Sequence, residues 1–470
     1  MQIKLALPKG RLLPWTNLLL QRSGLELSGY NEHSRSYRPQ CGNFPDLFLK
    51  IFHERDIPIQ VAVGNYDLGI CGLDWVEELL AKYPSSALVK VRDLGYGESD
   101  LCVAVSKSAR VASMEELRSE VETIRIATEY PNLAESFALR LRLRRFNVFP
   151  LWGAAGVYPP ESAELALLSQ TPDSPFDQEL IPLTSILCSS AFLIAHQPSW
   201  ESKDLSSLLH RLYAVGDIGE EVGEGLKSQG CVTRELSSSS QSQNSDLWLA
   251  LPDGHQQKPA LEFLRKASIR VEGQFAKSRR PTISLEGVKV KVIRPQDMPL
   301  QVANGNFDLA ITGQDWLYDH LCRFPSSPVK EILDLEFGKV RVVAVVSSKL
   351  PVDSPQDLRG LLGRGSLTTL RVASEYTNIA DKYARDNHLS PYRLIPTWGA
   401  SEAFLPEDAD LLIENVQTGR TLAQHNLKII DTLFESSACL IGNAHVPEES
   451  SKQGRMDYVV QILRQAAKEN

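Results

Sequence analysis

The chain has 470 residues, enough for about two to four ordinary domains, each with its own core. Its 43% hydrophobic and 23% charged content is that of a soluble globular protein, and a net charge of -8 argues against a general nucleic-acid binder. No run approaches the roughly 18 apolar residues of a membrane span. The opening MQIKLALPKGRLLPW carries too short an apolar core and too early a Lys-Gly-Arg for a secretory signal, so a cytoplasmic protein is expected.

In chain order, IKLALP reads as a buried strand and RLLPWTNLLLQRSGL as a helix with a Ser-Gly stop. DIPIQVAVGN has the marks of a helix with Asp56 as N-cap and Pro58 in its first turn. DLGICG is a strand running into the helix LDWVEELLAKY, and LCVAVS, IRIATE and VFPLW follow as strands alternating with helices. This alternation predicts an α/β fold with a largely parallel sheet, whose ligands sit where strand ends turn into helices. The seven dispersed cysteines, without a C-x-x-C pair, read as reduced and mostly packing thiols; no metal site is expected from them.

The same pattern then returns. GNYDLGICGLDW (Gly64 to Trp75) recurs as GNFDLAITGQDW (Gly305 to Trp316), and RIATEYPNLA (Arg125 to Ala134) as RVASEYTNIA (Arg371 to Ala380). The openings LALPKGR (Leu5 to Arg11) and LALPDGH (Leu249 to His255) also pair. A period of about 245 residues is far beyond a solenoid repeat, so this is a tandem duplication of a whole module. The expected domains are 1–236, a polar linker SSSSQSQNSD at 237–246, and 247–470, closing on the helix MDYVVQILRQAAKE.

One loop differs sharply between copies. In LLIENVQTGRTLAQ (Leu411 to Gln424) a strand ends on Glu414 and opens into Thr418-Gly419-Arg420-Thr421 before a helix. A glycine, two hydroxyls and successive N–H groups at a helix start suit a phosphate, and Glu414 suits a ribose diol or a divalent cation. The first copy's LALLSQTPDSPFDQ (Leu165 to Gln178) lacks the carboxylate, the glycine and the arginine, and Pro172 and Pro175 remove backbone donors.

Six stretches together resemble the catalytic chain of the ATP phosphoribosyltransferase family. They are LPKGRL (Leu7 to Leu12), ATEYPNL (Ala127 to Leu133), RPQDMP (Arg294 to Pro299), DLAITGQDWL (Asp308 to Leu317), LDLEFGKVR (Leu333 to Arg341) and ENVQTGRTL (Glu414 to Leu422). The resemblance covers nearly all of each copy. It implies a two-lobed, periplasmic-binding-protein-like type II clamp and the condensation of ATP with phosphoribosyl diphosphate in the first step of histidine biosynthesis. It also implies Mg²⁺ with the phosphorylated substrates, assembly as a homo-oligomer or internal pseudo-dimer, and a synthetase-like regulatory partner of the short form. By the same resemblance Thr418 to Thr421 would hold the 5-phosphate and Glu414 the ribose hydroxyls, with Tyr376 and Glu402 as further substrate contacts. Asn415 departs from the family's aliphatic preference.

The chemistry needs cations rather than a protein nucleophile, because diphosphate leaves as ATP N1 attacks the anomeric carbon. The first copy keeps Lys9 and Arg11 where the second has Asp253 and His255. The second keeps Arg294, Lys339, Arg341 and Arg420 where the first has His53, Glu98, Asp100 and Ser174. This complementary loss predicts one working cleft, in the second copy, with Lys9, Arg11 and Arg35 contributed by the first. The plainer readings are solvated charges for Lys9 and Arg11, packing for Trp75 and Trp316, hinge plugs for Trp152 and Trp398, and turn residues for Asp67 and Asp308. A regulatory, non-catalytic paralogue is the competing functional reading.

Overall fold

The structure is a computed structural model that describes residues 2–34, 36–109, 113–171, 179–215, 246–273, 279–444 and 450–468. Two compact units emerge. One comprises Met1–Pro150, Ala163–Leu236 and Thr397–Phe404; the other comprises Leu151–Ser162, Ser237–Pro396 and Leu405–Asn470. Each unit therefore follows one half of the sequence except for a short segment taken from the other half. Apart from Asp246, the expected linker lies outside the described residues.

Among the described residues the first unit builds two five-stranded sheets. The first sheet orders its strands Leu47–His53, Ile3–Lys9, Leu68–Gly72, Ala191–His196 and Leu88–Asp93. The second orders them Leu180–Ser189, Ser99–Ser106, Leu165–Gln170, Ile124–Thr128 and Phe146–Pro150. The second unit repeats both orders, with Val288–Ile293, Leu247–Pro252, Leu309–Gly313, Ala438–Asn443 and Val329–Asp334 in one sheet. Its other sheet holds Tyr392–Pro396, Leu370–Ser374, Leu411–Val416, Val340–Ser347 and Leu427–Ser436. The α/β tandem duplication expected from sequence is thus the architecture, with two lobes per unit.

The sheets are mixed rather than largely parallel. Ile3–Lys9 runs parallel to both neighbours, but Ala191–His196 is antiparallel to both of its own. The difference arises where the chain passes between lobes, because a strand returning from the other lobe enters its sheet from the opposite end. The central strands are buried on both faces, and Leu5, Ala6 and Leu7 are fully buried, which explains their continuous apolar run.

Most helix boundaries follow the sequence signals. The first helix, Leu13–Arg22, has Pro14 in its opening turn and stops before Gly24, whose φ of 71° is the left-handed conformation expected after a helix end. The helix Ile57–Ala62 starts after Asp56, but that carboxylate makes no capping bond because Asp56 already has helical φ and ψ. The final helix, Ser450–Lys468, is longer than expected and lays Met456, Val459, Leu463, Ala466 and Ala467 on the second unit's core at helical spacing. Asp67 and Asp308 accept the N–H groups of Lys4 (2.9 Å) and Trp248 (2.8 Å), the structural role of turn residues.

Candidate functional site

The phosphate-type loop lies in the second unit at the end of the strand Leu411–Val416. Gly419, at φ 72°, turns the chain into the five-residue helix Arg420–Gln424. A Cβ there would meet nothing, so glycine is required by backbone conformation and not by space. Thr418, Arg420 and Thr421 are exposed at this helix opening, where the first N–H groups lack intrahelical acceptors. The antiparallel neighbour Val340–Ser347 sets Arg341 opposite Val416 and Val343 opposite Glu414. Sheet register thus brings an exposed arginine beside the strand that feeds the loop. Exposed Lys339 lines an open cavity of about 380 Å³ together with Glu262, Lys266 and Glu336.

Glu414 and Asn415 are half-buried. Asn415 Nδ2 donates to Tyr376 Oη at 2.6 Å, and Tyr376 Oη donates to Asp315 Oδ2 at 2.6 Å. Tyr376 is therefore buried beneath the loop, with its ring 4.2 Å from that of Trp316. Burial, reinforced by the Asp315 charge, pushes the Tyr376 phenol well above its ordinary value, and burial also raises the Asp315 carboxyl against the tyrosine's hydrogen bond.

On the unit's other sheet, Leu247–Pro252 and Val288–Ile293 are parallel neighbours, so the residues just past their ends meet. Asp253 Oδ1 takes Arg294 at 3.3 Å and its Oδ2 takes Arg279 at 2.8 Å. The acid standing in the place of Lys9 thus clamps two of the unit's cations. The exchanged segment Leu151–Ser162 completes this region. Trp152 N–H donates to both Asp297 oxygens at 3.1 Å, and its ring centroid lies 5.9 Å from that of Trp316. Gly153 leaves room for Arg294, whose Nε would be 2.9 Å from a Cβ at that glycine.

Glu161, at the segment's far end, receives Lys291 at 2.7 Å and Arg280 at 3.0 Å. Partial burial would raise its carboxyl, but the two cations win and hold it down at about 2. Burial and the nearby Arg280 bring the enclosed Lys291 down to about 8, since its one carboxylate returns less than desolvation removes.

The remaining sequence-derived positions fall in the first unit. Lys9 ends the strand Ile3–Lys9 with its ammonium 3.4 Å from Tyr37 Oη. Arg11 donates to Gly97 O at 2.8 Å and pairs with Glu54 at 3.3 Å. Burial lifts the Glu54 carboxyl to about 7 despite Arg11. Glu402 sits on the exchanged segment Thr397–Phe404, so it packs in the first unit while Glu414 packs in the second. Arg35, and the first copy's loop containing Pro172, Ser174 and Pro175, lie outside the described residues. Among the described residues no group of three or more His, Cys, Asp or Glu is arranged to hold a metal ion, and no helix is long and apolar enough to cross a membrane.

Sequence reasoning missed Arg279, Arg280 and the exchange itself. A signal for one was present: the Arg-Pro pair at Arg280-Pro281 repeats at Arg38-Pro39. Both arginines bond carbonyls of an exchanged segment, Arg280 that of Val157 at 3.0 Å and Arg38 that of Ala403 at 3.5 Å.

The family model for ATP phosphoribosyltransferase (HisG) matches residues 53–214 and again 294–465. The chain belongs to that family. The ATP phosphoribosyltransferase of Chlorobaculum parvum is 31% identical over 228 residues, 47% of this chain and 72% of its own length. That of Metallosphaera sedula is 33% identical over 221 residues, 46% of this chain and 72% of the relative. A solved structure, the ATP phosphoribosyl transferase (HisG:HisZ) complex from Thermotoga maritima, is similar at 19% identity and a TM-score of 0.39, over 48% of this chain and 100% of that one. Two separate matches to one ATP phosphoribosyltransferase model agree with the duplication read from the repeats and from the repeated strand orders.

Proposed function

We propose that the second unit is an ATP phosphoribosyltransferase site that condenses ATP with phosphoribosyl diphosphate, opening histidine biosynthesis as a cytoplasmic enzyme. The carrying observation is the intact loop from Glu414 to Thr421, with Gly419 in the left-handed conformation and Arg341 held beside it by strand register. In the reaction, ATP N1 forms a bond to the anomeric carbon, the bond from that carbon to the diphosphate oxygen breaks, and diphosphate leaves with the electron pair. The protein's part is to hold two polyanions in line and stabilise the departing charge. The loop would take the 5-phosphate and Glu414 the ribose hydroxyls, with Arg341, Arg420, Lys339 and Arg294 as the cations available to phosphates. Mg²⁺ would be carried on the substrate phosphates.

A second reading has its own observation. Asp253 engages Arg294 and Arg279, which leaves less positive charge for a diphosphate and suits a regulatory paralogue that binds nucleotide without turnover. The full chain is mixed with ATP, phosphoribosyl diphosphate and Mg²⁺, with and without a synthetase-like regulatory subunit, and product absorbance is followed. Growth of phosphoribosyl-ATP supports the transferase. A flat trace in both mixtures, alongside measurable ATP binding, overturns it in favour of the regulator.

A further inference from the structure

The root of the loop carries a device that the reaction itself does not demand. Asn415 lies one residue after Glu414 and three before Thr418, and its amide nitrogen can only donate. It donates to a tyrosine hydroxyl that in turn donates to a buried carboxylate, so the direction of the chain Asn415 to Tyr376 to Asp315 is fixed. Tyr376 is 1% exposed and Asp315 is 2% exposed, so the pair to which Asn415 bonds lies within the core.

The first unit supplies the comparison. There Tyr130 Oη donates to Asp74 at 2.7 Å, reproducing the buried pair. The register position matching Asn415 is Ser169: Asn415 faces Val342 and Ser169 faces Leu101 in equivalent antiparallel strands. A serine hydroxyl is one atom shorter in reach than an asparagine amide nitrogen. The third member of the chain therefore goes with the copy whose loop keeps its glycine and threonines.

Resting on the transferase reading, we propose that Asn415 is a positioning residue that ties the phosphoribosyl-binding loop to the buried Tyr376–Asp315 pair. It sets the height of Glu414 and Thr418 above the sheet, so its loss weakens capture of the ribose phosphate more than it slows chemistry.

The test uses the full chain with Asn415→Val, Asn415→Ser, Tyr376→Phe and the double variant Asn415→Val/Tyr376→Phe. The expected result is a rise of about tenfold in KM for phosphoribosyl diphosphate with kcat within about twofold, for both Asn415 variants. Because one chain of bonds is cut in each case, the double variant should be no worse than the worse single variant. Amide exchange across residues 416–424 should quicken in the same variants, and this arm needs no turnover. An inactive wild type defeats the transferase reading, while faster exchange in Asn415→Val still supports the anchor. Exchange and KM unchanged in both Asn415 variants, or effects of the two single changes that simply multiply in the double, overturn it.

Discussion

The two units share strand orders, a buried Tyr–Asp pair and an exchanged tryptophan, and they differ at the places where charge meets the loops. In the first unit, exchanged Trp398 covers the Arg55 guanidinium at 4.2 Å, with Trp75 at 5.3 Å on the same group. In the second, Gln296 stands in the place of Arg55, and exchanged Trp152 packs by Trp316. The first unit thus spends an arginine on stacking, where burial lowers its pKa. The second keeps Arg341 exposed beside the strand that feeds the phosphate-type loop and Arg294 paired with Asp253. Both copies thus keep the packing framework, while the charges set into it have diverged.

The largest effect expected from breaking this comparison is at Glu161. Glu161→Gln would leave Lys291, 1% exposed on its side chain, without its carboxylate. A loss of about 3 kcal/mol from the second unit is expected, the lower end for a broken buried pair because Glu161 is partly exposed. Urea unfolding followed by hydrogen exchange on peptides from each unit would measure it, and equal loss in both units would contradict the assignment. The same pair sets an acid limit. Glu161 has a depressed folded pKa, so its contribution is present above about 4.5 and disappears as pH falls toward about 2.

Next is Arg341→Ala, expected to lower turnover by about 100-fold if it serves the departing or bound phosphate. Its register counterpart, Asp100→Ala in the first unit, should leave turnover within about twofold; similar losses from both would place the chemistry in both units. A smaller effect of opposite sign is expected from Asp253→Asn. Releasing Arg294 and Arg279 from their clamp should tighten diphosphate binding about threefold to tenfold, read by product-inhibition kinetics. Weaker binding would mean that the clamp orients the arginines for substrate.

A pH-dependent effect belongs to Glu54. Its folded pKa is raised to about 7, so the first unit is best served below about 4.5 and loses stability as pH rises to about 7. Glu54→Gln should flatten that slope in hydrogen exchange of the strand Ala191–His196, while the second unit's profile stays unchanged.

Much of this was legible in the sequence. Repeats such as GNYDLGICGLDW gave the duplication, because strand and helix periods recur with the same punctuation. The loop at Glu414 was legible because, though its threonine-glycine turn is a weak signal alone, it follows an apolar strand and stands in order among five other family-like stretches. The exchange was not, since two copies of one segment have the same packing chemistry and periodicity does not say which copy fills which unit. Nor was the meaning of Arg11: its loss in the second copy, as His255, goes with the loss of Glu54, as Pro295. Part of the complementary loss of cations is therefore the loss of an internal ion pair. Asp253 was read only as a missing lysine, because sequence shows a charge without its partners.

The twelve residues Leu151–Ser162 that build into the second unit are encoded in the first half of the gene. Cutting the chain between halves would turn an internal fit into a meeting of separate molecules. A tether keeps the donated strip at an effective millimolar supply. The first half's backbone thus serves the second unit whatever chemistry the first half keeps, and truncating it would damage the very copy left behind.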